Sequence, residues 1–191
     1  MRKFTKRQTL VAAMVLLAIA LSIGLAVAAH KTLYHVATVD PGRVYRSGTL
    51  SPLGLAVMNW LHPLKTIVNV RSPKENQLPW HEREKNFCQS HGIKLLDLPL
   101  EADTPPTQEQ IRTFLDLVRD GKNLPVMIHC HQGVTRTAML VAVYEVAVRH
   151  KDNVQVFEST RNAFGHDLTL PDKRSTRDFI LNLKTPQPLG M

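Results

Sequence analysis

Residues 10–29 form an uncharged run of twenty positions, broken in apolar character only by Ser22 and Gly24. A run of that length suits a helix that spans a bilayer. Beyond it the pattern changes to short apolar runs alternating with half-apolar ones. Thr66-Ile67-Val68-Asn69-Val70-Arg71 is β-branched and apolar and predicts a buried strand. Residues 93–100 and 125–129 predict two more, and Pro41-Gly42 marks a turn leading into a short strand toward Ser47. Helices are predicted between them. Ser51-Pro52 reads as an N-cap with proline at the first helical position, opening a helix toward His62. Residues 79–91 form a helix stopped by Gly92. Thr107 and Gln110 form a capping box, followed by Ile111, Phe114, Leu115 and Val118 at helical spacing, and Gly121 ends that run. Further helices are predicted over 137–150, 154–164 and 171–183. Strands alternating with helices predict an α/β fold: a central, mostly parallel sheet flanked by helices. The ligand crevice of such a sheet lies beyond the carboxyl ends of its strands.

Charge adds an orientation. Of the net +8, half comes from Arg2, Lys3, Lys6 and Arg7, which precede every acid; the remainder holds 20 basic and 16 acidic residues. A basic cluster on the N-terminal side of an apolar span predicts a cytoplasmic N-terminus with the rest of the chain outside, in a periplasm where the cell has one. Ala26-Val27-Ala28 also has the small-x-small form of a signal cleavage site, which would leave a secreted domain; the length of the apolar run favours the uncleaved anchor. The modest basic excess outside the N-terminus suits phosphorylated substrates. No stripe of basic and aromatic residues points to nucleic acid.

One segment carries the chemistry. His129-Cys130-His131-Gln132-Gly133-Val134-Thr135-Arg136-Thr137 stands between a predicted strand and a predicted helix. Strand, tight loop and helix make an anion site, because the first free N–H groups of a helix point at whatever the loop holds. The helix N-terminus and Arg136 both favour a thiolate at Cys130. Arg136 has a planar fork of donors that can grip two phosphate oxygens. Gly133 supplies the conformational freedom that a loop of inward-facing N–H groups needs. A thiolate at the bottom of such a cradle can split a phosphate ester in two displacements, through a covalent intermediate. In that reading the amides of His131, Gln132, Gly133, Val134, Thr135 and Arg136 bind the equatorial oxygens. Thr137 donates to the sulfur or caps the helix, and His129 orders the loop. The second cysteine, Cys88, reads as a small apolar helix residue, with a resolving role as the alternative. No metal is implied, since the histidines lack ligand spacing, and no cofactor is called for.

The run resembles the His-Cys-x5-Arg-Ser/Thr signature of the cysteine-dependent protein tyrosine phosphatase superfamily. The chain is similar to its compact dual-specificity branch, bacterial and atypical members above all. Tyr45-Arg46-Ser47-Gly48 and Val68-Asn69-Val70-Arg71 match segments those members carry. The resemblance implies a sheet flanked by helices and a general acid on a loop before the cysteine. Asp103, on the loop 101–106, is the expected acid; Glu101 comes next, and Asp97 sits inside a strand pattern unsuited to a mobile acid. It further implies hydrolysis of phosphate monoesters, with a phosphorylated protein (phosphotyrosine, phosphoserine or phosphothreonine) as expected substrate. A phosphoinositide, phospholipid headgroup or inositol phosphate is the alternative, although the loop lacks the lysines of many enzymes acting on those substrates. A non-catalytic phosphate-binding module has no need of the thiol, and a rhodanese-like sulfur transfer domain is disfavoured by Arg136. The expected organisation is an anchor or signal peptide over 1–30, a linker over 31–38, a catalytic domain over 39–185 and a tail over 186–191.

Overall fold

The structure, a computed structural model, describes residues 6–102 and 104–184, without the side chains of 6, 9, 25, 26 and 29. Five short strands build one sheet: β1 (Ala37–Asp40), β2 (Val44–Ser47), β3 (Thr66–Asn69), β4 (Lys94–Asp97) and β5 (Val126–His129). Their order is β1-β2-β5-β3-β4. The last four run parallel, and β1 closes one edge antiparallel to β2. The Pro41-Gly42 turn therefore joins two strands where the sequence pattern predicts one. Gly42 takes φ +74 there, and Arg43 N donates to Asp40 O at 3.0 Å.

Seven helices accompany the sheet among the described residues: α1 (Lys6–Thr32), α2 (Pro52–Leu61), α3 (Pro79–His91), α4 (Gln108–Arg119), α5 (Thr135–Ala147), α6 (Asn153–Thr160) and α7 (Arg174–Leu181). The predicted caps hold. Ser51 accepts from Gly54 N, Gly92 ends α3 in the left-handed region, and Thr107 and Gln110 satisfy each other's backbone N–H groups. Period-two alternation splits the strand residues between two cores. Val44, Val68, Val126 and Ile128 meet Phe114 and Leu115 of α4 and Met139, Leu140 and Tyr144 of α5. Tyr45, Ile67 and Met127 meet Leu55 and Met58 of α2 and Phe87 and Cys88 of α3. Each of these wholly buried aliphatic side chains contributes about 1.5–3 kcal/mol relative to an exposed one.

Several boundaries differ from the pattern. α5 begins at Thr135, two residues before the expected 137–150 helix, so Arg136 and Thr137 belong to its first turn. β3 stops at Asn69 because the Asn69 side chain captures Arg71 N at 2.9 Å. Residues 154–164 and 171–183 break into α6 and α7 with short 3-10 turns beside them, at Ala163–Gly165 and Pro171–Lys173. The expected linker is packed: Leu33, Tyr34 and Val36 lie against the α2–α3 core, and Gly48 N donates to Tyr34 O at 2.9 Å.

α1 is the longest helix described, at 27 residues, and leaves Leu10, Leu16, Leu17 and Leu21 more than half exposed. Among the described residues no helix is long and apolar enough to cross a membrane. The membrane-spanning expectation for 10–29 thus gains no support from the fold.

Candidate active site

The central strand β5 ends at His129, and the next eight residues make a closed loop and the first turn of α5. Cys130 is 2% exposed and sits at the floor. Gly133 N donates to its sulfur at 3.2 Å. No side chain caps α5 at Val134, so the opening N–H groups of the helix face the loop. Burial pushes the Cys130 thiol up, but hydrogen bonding from Thr137, the nearby Arg136 charge and the amides of Thr137 and Gly133 outweigh it; the net shift is downward. The Thr137 hydroxyl is buried with no partner of ordinary hydrogen-bond geometry, so its effect on the sulfur is one of proximity. Burial works against the charge of Arg136, but the hydrogen bond to Glu75 and the nearby Cys130 and Glu75 charges raise its pKa and hold it protonated. His131 and Gln132 are exposed, Thr135 is half-buried, and Gly133 and Val134 are buried.

The loop is clamped from outside by β2 and the residues after it. Gly133 has φ +73, and a Cβ there would lie 2.3 Å from Ser47 O. Both the backbone angle and the close approach require glycine. A Cβ at Gly48 would lie 2.4 Å from the Tyr34 ring and 3.1 Å from His131 O. Thr49 N donates to His131 O at 3.0 Å, and Thr49 Oγ1 to Cys130 O at 3.0 Å. Arg46 Nη2 donates to Gly133 O at 2.7 Å and to Val134 O at 3.3 Å. The peptide unit whose N–H reaches the sulfur, between Gln132 and Gly133, offers its C=O to His35 Nδ1 at 2.7 Å instead; the units that offer their C=O to Arg46 turn the N–H groups of Val134 and Thr135 the other way, away from Arg46. The Tyr45-Arg46-Ser47-Gly48 segment is thus the outer wall of the loop.

Beneath Cys130 lies a buried ion pair. Period two turns His129 to the same face as Met127, toward α3, where its Nε2 lies 3.0 and 3.1 Å from the two carboxylate oxygens of Glu84. Burial alone lowers the His129 pKa; the charge and hydrogen bond of Glu84, with the adjoining Cys130, reverse this and raise it. A protonated imidazole adds positive charge next to the thiolate. Above the loop, Glu75 grips Arg136 with both oxygens, Oε1 at 3.2 Å from Nη2 and Oε2 against Nη1. Glu75 also binds Arg71 Nε at 3.1 Å and Ser72 N at 2.9 Å. Arg71 stacks on Trp80 at 4.0 Å and donates to Thr49 Oγ1 at 2.9 Å. Partial burial favours the neutral form of Glu75, but the hydrogen bonds from Arg136 and Ser72 and the two guanidinium charges bring its pKa down to about 2.

The structure brings together Cys130, Gly133, Arg136, Thr137 and His129. Asp103, the expected acid, lies outside the described residues. The segment that follows β4 does reach the cradle, since Leu100 O is 3.4 Å from Arg136 Nη1. Glu101, the next residue, is exposed. Asp97 is bound to Asn69 Nδ2 at 2.7 Å and to His81 Nε2 at 3.1 Å. Cys88 is buried in the α2–α3 core, whereas Cys130 belongs to the α4–α5 core. Burial, Glu84 and Asp97 push the Cys88 thiol up to about 12, leaving it inert near neutral pH. The sequence reading missed Glu75, Glu84 and Trp80. Only the Arg71–Glu75 spacing of four hinted at one of them.

Residues 35–178 match the family described as DSP-PTPase phosphatase fused to NAD+ kinase. The chain belongs to this family. Among curated proteins it is similar to Probable NAD kinase 2, chloroplastic, from Oryza sativa subsp. japonica, at 26% identity over 123 residues. It is also similar to Inositol diphosphatase DSP3 from Arabidopsis thaliana, at 33% identity over 102 residues. These alignments cover 63% and 51% of this chain, but only 12% and 47% of the relatives. Among solved structures, the core catalytic domain of PP-IP phosphatase SIW14 from S. cerevisiae, in complex with citrate, superposes with TM-score 0.61 at 22% identity, covering 78% of this chain and 85% of that one. TpbA from P. aeruginosa gives TM-score 0.61 at 20% identity, covering 77% and 83%. At such identities these two structures establish the shared fold, a central sheet flanked by helices.

Proposed function

We propose that this member of the family hydrolyses phosphate monoesters through a cysteinyl-phosphate intermediate. The observation that carries the reading is a buried Cys130 sulfur that accepts from Gly133 N at 3.2 Å, at the floor of the loop that opens α5, with its pKa lowered by the neighbouring Arg136 charge and the Thr137 and Gly133 hydrogen bonds. The Cys130 thiolate attacks phosphorus, the ester oxygen leaves with a proton, and water then displaces the sulfur to release phosphate. The loop amides and Arg136 bind the equatorial oxygens in both steps. Glu75 holds the guanidinium fork in plane until phosphate oxygens compete for it. Thr137 eases departure of the sulfur. Asp103 protonates the leaving group and then activates the water; the nearness of Leu100 to Arg136 supports an acid on this loop.

Protein phosphotyrosine, phosphoserine or phosphothreonine is the substrate class we favour. His131, Gln132, Val134 and Thr135 bring no lysine to the loop, which disfavours a polyphosphate without excluding it. The likeness to inositol diphosphatases at 33% identity favours an inositol diphosphate as second reading. The two differ in demand on the acid, because a diphosphate has a good leaving group and an alkyl ester does not. Turnover of p-nitrophenyl phosphate, phosphopeptides and an inositol diphosphate by wild type and Asp103→Asn tests both. A protein phosphatase loses most on phosphoserine peptides with the variant. Preferred cleavage of the diphosphate, insensitive to Asp103→Asn, would establish the second reading.

We further propose, on the sequence of residues 10–29 and not on the described helix, which falls short of a membrane span, that this run anchors the enzyme with the catalytic domain outside the cytoplasm. The uncharged run 10–29, its exposed leucines and the basic residues before it support this. Protease access to the domain in intact cells checks the orientation.

A further inference from the structure

A second hollow, of about 380 Å³, lies between the β1–β2 edge and the α5–α6 pair, lined in part by Arg46, Glu145, Lys151, Ser159, Thr160 and Phe164. Arg46 is 6% exposed. Its Nη2 is committed to the loop carbonyls, but its Nε is buried without a hydrogen-bond partner. The Phe164 ring lies 5.4 Å from the guanidinium carbon, and Phe164 itself sits at φ 56 in the left-handed region. The carboxylate lining the hollow, Glu145, is spent on two other cations, with Arg149 at 3.2 Å and Lys151 against its second oxygen. The lining therefore carries two cations, Arg46 and Lys151, against one carboxylate, Glu145; no described carboxylate pairs with the buried Arg46 guanidinium, whose favourable charge partner is Cys130 on the other side of the loop. Taking a charge out of water costs several kcal/mol unless it is paired. Burial brings the Arg46 pKa down to about 10, so the group remains cationic at neutral pH.

We propose that this hollow is a second anion site, taking one small oxyanion, a phosphate or a carboxylate, on Arg46 and Lys151. It is separate from the cradle, because Arg46 touches the loop from its carbonyl side while substrate meets the N–H side. The volume falls within the range of small-molecule sites and exceeds that of a few waters. Its occupant binds the same guanidinium that fixes Gly133 and Val134, two residues of the catalytic loop.

The test is an amide-resolved NMR titration of the full chain in detergent, using inorganic phosphate and, separately, acetate. Arg136→Met is the background, because it removes the guanidinium of the cradle and makes the result independent of turnover. Saturable shifts at Thr160, Ala163 and Phe164 are expected with at least one anion, weakened about 10-fold or more by adding Lys151→Met. Lys151 is one-third exposed and Arg149 still pairs with Glu145 when it is replaced, so thermal unfolding of the double variant should match that of Arg136→Met. Response to phosphate alone or acetate alone assigns the headgroup. Absence of saturable shifts at these amides with both anions, or shifts indifferent to Lys151→Met, would overturn the proposal. Loss of phosphatase turnover elsewhere would leave it standing.

Discussion

Replacing Glu75 with glutamine removes a carboxylate that binds both Arg136 and Arg71. Its pKa falls from 4.5 to about 2 in the folded chain, which at full weight corresponds to about 3.4 kcal/mol. The side chain is 25% exposed, and solvent screens its ion pairs, so a contribution of about 1–2 kcal/mol at neutral pH is expected. Because the folded pKa is depressed, the contribution is complete above the unfolded value near 4.5 and fades as pH falls through about 2. Urea unfolding followed by tryptophan fluorescence measures it, since Trp80 Nε1 donates to Glu75 O at 3.0 Å. Wild type exceeds Glu75→Gln by about 1–2 kcal/mol at pH 7, and the gap closes between pH 4.5 and pH 2. Orientation of Arg136 is lost as well, so kcat/KM falls by about 10–100-fold. A gap that is constant from pH 2 to pH 7, or absent at pH 7, would refute the assignment of this ion pair.

Gly133→Ala places a Cβ 2.3 Å from Ser47 O at a residue with φ +73; thermal unfolding should show a loss above about 1–3 kcal/mol, together with a large fall in kcat. Glu84→Gln removes the charge that raises the His129 pKa. The Cys130 pKa then rises, read as an upward shift in the pH profile of iodoacetamide inactivation. The stability that Glu84 gives through protonated His129 is complete below the ordinary histidine value of about 6.5 and is lost as pH rises through the higher folded value. Chemical denaturation of wild type against Glu84→Gln from pH 5 to pH 9 should show that decline.

Much of the fold is written in local signals. Proline at a helix start, glycine at a helix end and a threonine–glutamine box each act within four residues, so Ser51-Pro52, Gly92 and Thr107–Gln110 could be read directly. The cradle was equally legible, because the loop and both of its functional ends lie within nine residues. What escaped were partners separated in sequence. Glu75 stands 61 residues from Arg136, and Glu84 stands 45 from His129. A charged residue on a helix face looks solvated until the sheet places it against a buried cation. The start of α5 was also hidden, since its first turn is polar and faces the anion site rather than the core.

The central claim is that the sulfur of Cys130 becomes bonded to phosphorus during turnover. Rapid acid quench of the enzyme with p-nitrophenyl phosphate, followed by peptide mass spectrometry, examines it directly. A phosphoryl group on Cys130 in the wild type, absent from Cys130→Ser along with turnover, is the predicted result. Undiminished turnover by Cys130→Ser, or a phosphoryl group trapped on His131 instead, would contradict the account.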